Sequence, residues 1–192
     1  MDLRELEREV AGCTKCGLSR TRNKVVFGEG NEKAVIMFVG EGPGAQEDQE
    51  GRPFVGAAGQ LLNRILAAAG FQREQVYIAN VVKCRPPGNR LPAASEVNAC
   101  YPYLQSQIKA INPQIIVCLG SLAAQAIIDP GVRITKIRGH WFEREGIKIM
   151  PTFHPAALLR DEQKKKLVWE DFKKIRDLYH ELSMEQLTLQ FQ

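Results

Sequence analysis

A glycine-rich turn with three acidic side chains is the first feature of the chain that could carry chemistry. Segment 40–48 reads Gly-Glu-Gly-Pro-Gly-Ala-Gln-Glu-Asp, so Glu41, Glu47 and Asp48 lie among glycines that allow tight turns. Residues 51–56, Gly-Arg-Pro-Phe-Val-Gly, follow closely and lead into a predicted helix whose N-terminal amides can bind an anion. Together the two segments predict a ligand pocket, although the first alone would also fit a plain turn after a strand.

Four cysteines form a second group with possible chemistry. Cys13 and Cys16 make a C-x-x-C pair, while Cys84 and Cys100 lie far along the chain, in and after a proline-rich segment. Four thiolates can close around one metal centre, either zinc or an iron–sulfur cluster, and spacing does not separate the two. A thioredoxin-like dithiol is disfavoured because its C-x-x-C should follow a strand, and unrelated free thiols stay open. Cys118 lies in an apolar run and is expected in the core.

Short apolar runs alternate with helical patterns along the chain. Runs bounded by turn residues predict parallel strands at 34–39, 76–82, 114–119 and 147–150. Apolar spacing typical of helices lies between and after them, at 59–69, 94–111, 121–128 and 165–182. The alternation predicts an α/β fold, a three-layer α/β/α sandwich with a central four-stranded parallel sheet.

The polar residues gather at the carboxyl ends of the predicted strands. Ligands of open α/β sheets bind beyond these ends. Segment 40–48 follows the first strand, Asn80 lies at the end of the second, and His154 follows the fourth. The longest irregular stretch, 83–92, is expected to lie across the same rim. A structural asparagine that bonds only backbone is the common alternative for Asn80.

Bulk properties narrow the class of protein. The length of 192 residues predicts a single domain at 1–183, followed by a flexible tail at 184–192. No apolar run approaches the length of a membrane span. The first residues lack the basic and apolar regions of a secretory signal, so a cytoplasmic location is expected. The net charge of +4 is compatible with a phosphate-bearing partner but does not establish one.

Four motifs occur in order along the chain and together resemble one protein family. They are G-E-G-P-G-x-x-E-D at 40–48, G-R-P-F-V-G-x-A-G at 51–59, N-V-V-K-C-R-P-P-x-N-R at 80–90 and H-P-A-x-L-L-R at 154–160. From about Cys13 to Arg160, the series resembles the iron–sulfur, thermophile-type family 4 uracil-DNA glycosylases. The resemblance implies a base excision repair enzyme that removes uracil from single- or double-stranded DNA by hydrolysing its N-glycosidic bond, leaving an abasic site.

The same resemblance implies a cofactor and a set of uracil-binding residues. A 4Fe-4S cluster, rather than zinc, would be held by Cys13, Cys16, Cys84 and Cys100. The extrahelical base would stack on Phe54, and Asn80 would match the O4 and N3–H edge of uracil with one donor and one acceptor. His154 would donate toward uracil O2 as the base departs with negative charge. The implied uracil-binding set is Glu41, Gly42, Pro43, Phe54, Asn80 and His154.

A carboxylate is needed for the attacking water and for the positive charge that develops on the sugar. Here the chain departs from family 1, which places an aspartate at the position of Gly42 and a thymine-excluding tyrosine at that of Gly44. We therefore expect Glu47 to orient or polarise the water and to restrict the C5 side of the base, with Glu41 supporting the pocket. The expected catalytic set is Glu47, His154 and Glu41.

Contacts with DNA and with other proteins are expected at the rim and at the C-terminus. The DNA-binding candidates are Lys83, Arg85, Asn89, Arg90, Leu158 and Arg160, with Leu158 or Leu159 as a wedge in the base stack. Residues 186–191, Gln-Leu-Thr-Leu-Gln-Phe, resemble the peptide by which bacterial repair proteins dock on the sliding clamp. A frayed amphipathic end is the plain alternative for that peptide. The protein is expected to be a monomer.

Two other functions stay open on sequence alone. A sister glycosylase for other deaminated bases would share the fold and most of the pocket. A non-catalytic iron–sulfur module that only binds DNA would keep the cysteines without needing the pocket. The joint presence of Glu47, Phe54, Asn80 and His154 argues against the second.

Overall fold

The computed structural model describes residues 2–190 and their side chains as far as Met184. Six strands lie in one sheet in this part of the chain: β1 (Glu29–Gly30), β2 (Ile36–Gly40), β3 (Tyr77–Asn80), β4 (Ile115–Leu119), β5 (Phe142–Arg144) and β6 (Ile147–Thr152). The α-helices of the same part are α1 (Leu3–Ala11), α2 (Ala45–Glu50), α3 (Ala57–Ala68), α4 (Ala94–Ile111), α5 (Ser121–Ile127), α6 (Ile134–Ile137), α7 (Pro155–Arg160) and α8 (Gln163–Gln190).

The centre of the sheet is parallel, and its two edges are antiparallel. The strand order is β1-β3-β2-β4-β6-β5, in which β3, β2, β4 and β6 pair in parallel. The expected α/β fold with four central parallel strands is therefore confirmed. The edge strands β1 and β5 were not expected, because they span only two and three residues and contain no apolar run.

Alternating residues of each central strand pack into two separate cores. In β2, Met37 and Val39 face one core, whereas Ile36 and Phe38 face the other. Helices α1, α4 and α5 cover the first face of the sheet, and α3, α7 and α8 cover the second. Side chains of a strand point alternately to opposite faces, so a sheet buried on both faces reads as a continuous apolar run. These layers form the expected α/β/α sandwich.

The helix boundaries agree with expectation in the middle of the chain and differ at its end. Helix α4 occupies the predicted residues 94–111, whereas α8 continues to Gln190 instead of ending near 182. The clamp-like segment 186–191 has side chains outside the described residues. Among the described residues, no helix combines the length and the apolar character needed to cross a membrane.

The parallel strands bring three distant segments to one edge of the sheet. Strand β2 ends at Gly40, its register partner Asn80 ends β3, and β6 ends two residues before His154. Asp171 of α8 holds the end of β6 in place. Its carboxylate is fully buried and accepts hydrogen bonds from Thr152 Oγ1 at 2.7 Å and from the Arg138 guanidinium. The rim predicted to hold the site is therefore a structured edge.

Candidate active site and cysteine centre

Gly40, Asn80 and Phe54 pack together at the end of the sheet, a place that we call the niche. A Cβ added at Gly40 would lie 2.5 Å from Asn80 Oδ1 and 2.5 Å from Phe54 Cζ. Asn80 is 2% exposed, and its Oδ1 is buried without a hydrogen-bond partner among the described residues. Buried polar atoms are nearly always paired, so this oxygen points to a ligand that supplies a donor. Glycine at position 40 lets Asn80 and Phe54 pack directly against the backbone at the end of β2, where a Cβ would clash with both.

The ring of Phe54 is held in an unusual place by its backbone. Phe54 has φ of 51°, in the left-handed region that bulky residues rarely adopt. Its carbonyl packs so closely against α3 that a Cβ at Gly59 would lie 1.9 Å from the Phe54 oxygen. The ring is 5% exposed and stacks on His154, with ring centroids 5.4 Å apart. Strained residues of this kind concentrate at functional sites.

His154 caps α7 and presents one defined tautomer. Its Nδ1 accepts a hydrogen bond from the Ala156 backbone N–H at 3.0 Å, so in the neutral ring the proton lies on Nε2. Burial lowers the pKa of His154 to about 4, an effect that Glu47 opposes and Arg160 reinforces. The ring is therefore a neutral N–H donor at physiological pH. Gly120 leaves room for it, because a Cβ there would lie 3.0 Å from His154 Cβ.

The carboxylate of Glu47 is engaged by backbone. Its Oε1 accepts from the N–H groups of Val55 at 2.9 Å and Gly56 at 2.8 Å, and its Oε2 accepts from Gly44 at 3.2 Å. These bonds cap α2 and tie it to the loop that precedes α3. Glu47 thus fixes the distance between the glycine-rich turn and the Phe54 loop.

Glu41 and Asp48 have opposite environments. Asp48 is 1% exposed and accepts from the Asn23 backbone at 2.9 Å and from Asn23 Nδ2 at 2.6 Å, so its carboxylate is structural. The Glu41 carboxylate has no hydrogen bond or ion pair with the described residues, and burial raises its pKa. Of the three acidic residues in the turn, Glu41 is the one with free acceptor capacity.

Gly42 and Pro43 complete the wall of the turn. A Cβ at Gly42 would lie 2.6 Å from Cγ2 of Val82, a branched side chain of fixed position, so this site has no room for a larger residue. Pro43 is buried. The backbone carbonyls of Gly40 and Glu41 accept from Val81 at 2.9 Å and Val82 at 3.1 Å, which extends the pairing of β2 with β3 beyond the strands. The turn is thereby held against the end of β3.

The four expected metal-ligating cysteines come together in space. Cys13, Cys16, Cys84 and Cys100 line one cavity between the segment after α1, the proline-rich loop and α4, and none forms a disulfide. Nearby donors point at their sulfurs: the Lys83 backbone N–H lies 3.3 Å from Cys100 Sγ, and Arg22 Nη1 lies 3.4 Å from Cys84 Sγ. Cys118 is fully buried in β4, as expected.

The chemistry of this cavity fits a sulfur-ligated metal group. Burial raises the pKa of the Cys84 thiol and raises that of Cys100 to about 11, a cost that a bound metal offsets by stabilising the thiolates. Tyr103 lines the same cavity and is 3% exposed. No three described His, Cys, Asp or Glu side chains are close enough together to bind a single metal ion.

Two residues expected to bind DNA lie in the protein interior. Lys83 is 1% exposed, and its ammonium donates to the Asn80 carbonyl at 2.8 Å and to Gln107 Oε1 at 2.5 Å. Leu158 is 1% exposed and packs in the core beneath α7. Their burial does not favour either side chain as a DNA contact, because each points inward from its segment. Leu159, with 48% exposure, is the leucine of α7 that faces solvent.

The other DNA-binding candidates lie on the surface. Arg85 donates to Asn89 Oδ1 at 2.8 Å, and Arg90 forms a paired contact with Glu96, 2.7 Å at its shorter bond. Arg160 is exposed at the end of α7. Leu91 is 70% exposed near the end of the proline-rich loop. The structure thus presents basic and apolar side chains on that loop and on α7.

Arg73 is a site residue that the sequence did not reveal. It begins a short 3-10 helix, Arg73–Gln75, and its guanidinium donates to the carbonyls of Pro53 and Phe54. No motif surrounds it, and its partner Glu29 lies in an edge strand that was itself not expected. Only the polar pairing of an arginine with a glutamate could have suggested a link, and the chain contains many such pairs.

Comparisons with known proteins identify a matching family and several relatives of this chain. The model of the uracil DNA glycosylase superfamily matches residues 27–173. Type-4 uracil-DNA glycosylases of three organisms are similar over most of their length. That of Archaeoglobus fulgidus is 47% identical over 92% of this chain and 92% of its own length. That of Sulfurisphaera tokodaii is 49% identical over 92% of this chain and 84% of its own length. That of Thermotoga maritima is 49% identical over 91% of this chain and 94% of its own length. The chain therefore belongs to the uracil-DNA glycosylase superfamily and, within it, to the type-4 uracil-DNA glycosylases.

Proposed function

We propose that this protein is a DNA repair glycosylase that takes uracil out of DNA and hydrolyses its N-glycosidic bond. The observation that carries the proposal is the unpaired, buried Oδ1 of Asn80 in the niche beside Phe54. An acceptor held there matches the N3–H donor of uracil, and the amide nitrogen of the same side chain matches O4. Cytosine presents an acceptor at N3 and a donor at the neighbouring position, so both contacts would be repulsive. The niche thus discriminates the deaminated base.

The leaving group would be stabilised by His154. Departing uracil carries negative charge. A neutral imidazole can stabilise that charge by donating a hydrogen bond to O2 while it keeps its own proton. The Nδ1 bond from Ala156 directs the proton of the ring to Nε2, and the lowered pKa keeps the ring neutral. Phe54 would hold the base face through stacking, which contributes roughly 1–3 kcal/mol for a nucleobase on an aromatic ring.

The sequence favours Glu47 as the residue that activates water and Glu41 as the residue that supports the pocket. We propose that these two roles are exchanged. Glu47 is occupied by three backbone N–H groups and would position the Phe54 loop and restrict the C5 side of the base. Glu41 has a carboxylate without partners and a raised pKa, which suit it to accept a hydrogen bond from water and to face the positive sugar. Water activation is therefore proposed for Glu41, with Glu47 as its structural partner.

The cysteine cavity would hold a 4Fe-4S cluster on Cys13, Cys16, Cys84 and Cys100. The four sulfurs line one cavity, and similarity to the type-4 uracil-DNA glycosylases favours a cluster over a single zinc ion. When bound, the cluster would supply a covalent crosslink between the N-terminal segment, the proline-rich loop and α4. The proline-rich loop carries Arg85 and Arg90, so the crosslink would stiffen this DNA-binding loop.

DNA would be bound by the surface residues of the loop and of α7. Arg85, Asn89, Arg90 and Arg160 would contact phosphates, and Leu159 replaces Leu158 as the proposed wedge in the base stack. We infer a monomer in the cytoplasm that works on single- or double-stranded DNA. Docking of residues 186–191 on a sliding clamp remains a proposal from sequence, since those side chains lie outside the described residues.

Incubation with oligonucleotides that bear a single uracil tests the proposal. Single- and double-stranded substrates are treated with alkali, which cleaves the strand wherever an abasic site has formed. Cleavage at the uracil position is expected, and matched strands with cytosine or thymine should stay intact. Uracil-bearing strands that remain whole with cluster-loaded protein would favour the non-catalytic DNA-binding module. Matched strands that bear hypoxanthine or xanthine test the sister glycosylase, which would release those bases faster than uracil.

A further inference from the structure

The guanidinium of Arg73 is saturated with hydrogen bonds. Its Nη1 donates to the Phe54 carbonyl at 3.0 Å and to Asn63 Oδ1 at 2.9 Å. Its Nη2 donates to the Pro53 carbonyl at 2.5 Å and to Glu29 Oε1 at 2.7 Å, and Nε donates to the same Glu29 oxygen at 3.0 Å. An arginine side chain has five N–H donors, so none is left over. Two of these bonds end on consecutive carbonyls of the pocket loop.

The two carbonyls belong to the part of the loop that is least stable by itself. Phe54 adopts φ of 51°, and a bulky residue keeps such a conformation only where its surroundings enforce it. On one side, Gly59 admits the Phe54 carbonyl to the surface of α3. On the other, Arg73 binds that carbonyl and the preceding one. The arginine is therefore part of what holds the aromatic ring at the niche.

Arg52 provides a natural comparison, because it shares a partner with Arg73 but not a role. Both guanidinium groups bind Glu29, with Arg52 Nε 2.8 Å from Oε2. Burial alone would raise the pKa of Glu29, yet hydrogen bonds from the two arginines outweigh it and the pKa lies below its usual value. The Arg52 side chain is 56% exposed and reaches neither pocket carbonyl, whereas that of Arg73 is 15% exposed.

We propose that Arg73 is a positioning residue for base release, which holds the Phe54 ring where the flipped base stacks by fixing the Pro53 and Phe54 carbonyls. The inference rests on the proposed uracil-releasing function. Lysine could keep the ion pair with Glu29, but its single nitrogen cannot span both carbonyls in the planar arrangement of a guanidinium. The role therefore requires arginine and not merely a positive charge.

The deciding variant is Arg73→Lys, compared with Arg73→Met and with Arg52→Met as the matched control. Stacking acts on the base both before and during bond cleavage, so its loss should raise KM and leave kcat almost unchanged. We expect KM for a uracil-bearing single strand to rise about 10- to 100-fold in both Arg73 variants, the range that lost base stacking implies. Arg52→Met should match the wild type. A Lys variant with wild-type KM would overturn the inference.

Hydrogen exchange supplies a readout that does not depend on catalysis. The Val55 and Gly56 amides donate to Glu47, so wild-type protein should protect a peptide covering residues 53–56. Exchange there should be faster in Arg73→Lys and unchanged in Arg52→Met. Faster exchange in a protein whose wild type releases no uracil would leave the loop assignment intact and reject the proposed function. Unchanged exchange and KM beside an active wild type would reject the role of Arg73 alone.

Discussion

The ring of Phe54 and the imidazole of His154 stack with centroids 5.4 Å apart and planes inclined by 29°. The two residues are far apart in the sequence and meet because β2 and β6 flank β4 in the same parallel sheet. One ring is apolar and held by a strained backbone, and the other carries a directed N–H group. Their contact joins the surface that would bind a base to the group that would stabilise its departure.

Substitution of Asn80 by alanine should abolish base recognition with little effect on the fold. Two hydrogen bonds to uracil worth ~1.5 kcal/mol each correspond to a roughly 100-fold loss in kcat/KM. Single-turnover release from a uracil-bearing strand measures the effect. Asn98→Ala, an exposed position of α4, is the matched control and should keep the wild-type rate. Equal rates for the two variants would remove Asn80 from the site.

Substitution of His154 by glutamine should slow base release. Loss of one preorganised donor to a developing anion costs on the order of 10²–10³ in rate. The exposed histidines, His140→Gln and His180→Gln, serve as controls and should be unaffected. Rates that fall equally in all three variants would indicate a general effect of histidine loss instead of a role at uracil O2.

The pH dependence of stability should also reveal His154. Its pKa is about 4 in the folded protein and near 6.5 when unfolded, so only the unfolded state gains the proton between these values. The free energy of unfolding should therefore fall as pH decreases from 6.5 to 4, by up to about 3 kcal/mol. Denaturant titrations of wild type and His154→Gln measure this difference. An identical pH slope in both proteins would contradict the buried neutral imidazole.

The two carboxylates can be separated by their glutamine variants. Glu41→Gln should lower kcat by about 10²-fold or more, because the proposed water acceptor is lost. It should also remove the acid limb that the raised pKa of Glu41 imposes on the wild-type pH profile. Glu47→Gln should raise KM and lower the melting temperature, since its backbone contacts hold the loop. A large kcat loss confined to Glu47→Gln would restore the division favoured by sequence.

The cysteine centre makes a spectroscopic prediction. Purified protein should be brown and contain iron, and Cys100→Ser should lose visible absorbance and melt at a lower temperature. Cys118→Ala changes a buried cysteine outside the cavity and should retain the iron. A colourless wild type that contains stoichiometric zinc would contradict the cluster assignment.

Sequence patterns predicted those parts of the fold that depend on periodicity. The central strands are apolar runs buried on both faces, and α4 has helical spacing throughout, so both were located within a few residues. Strands β1 and β5 have too few residues to carry a period. Their existence depends on pairing with β3 and β6, which only the tertiary structure defines.

Motifs predicted which segments contribute to the site but not the direction in which each side chain points. The Lys83 side chain points back toward β3 and donates to the Asn80 carbonyl. A basic residue that was expected on the DNA-binding surface is therefore buried. Leu158 and Leu159 are adjacent on α7, yet Leu158 is buried and Leu159 is 48% exposed. Arg73 lay outside every motif, because its role depends on long-range bonds to Glu29 and to the Phe54 loop.

The most direct test of the account is the identity of the released product. A strand with one uracil is incubated with wild type and with Asn80→Ala, and the small-molecule fraction and the strand are analysed by mass spectrometry. The account predicts free uracil and a strand that has lost only its base with wild type, and a rate roughly 100-fold lower with the variant. An intact strand with cluster-loaded wild type, or equal rates for both proteins, would contradict it.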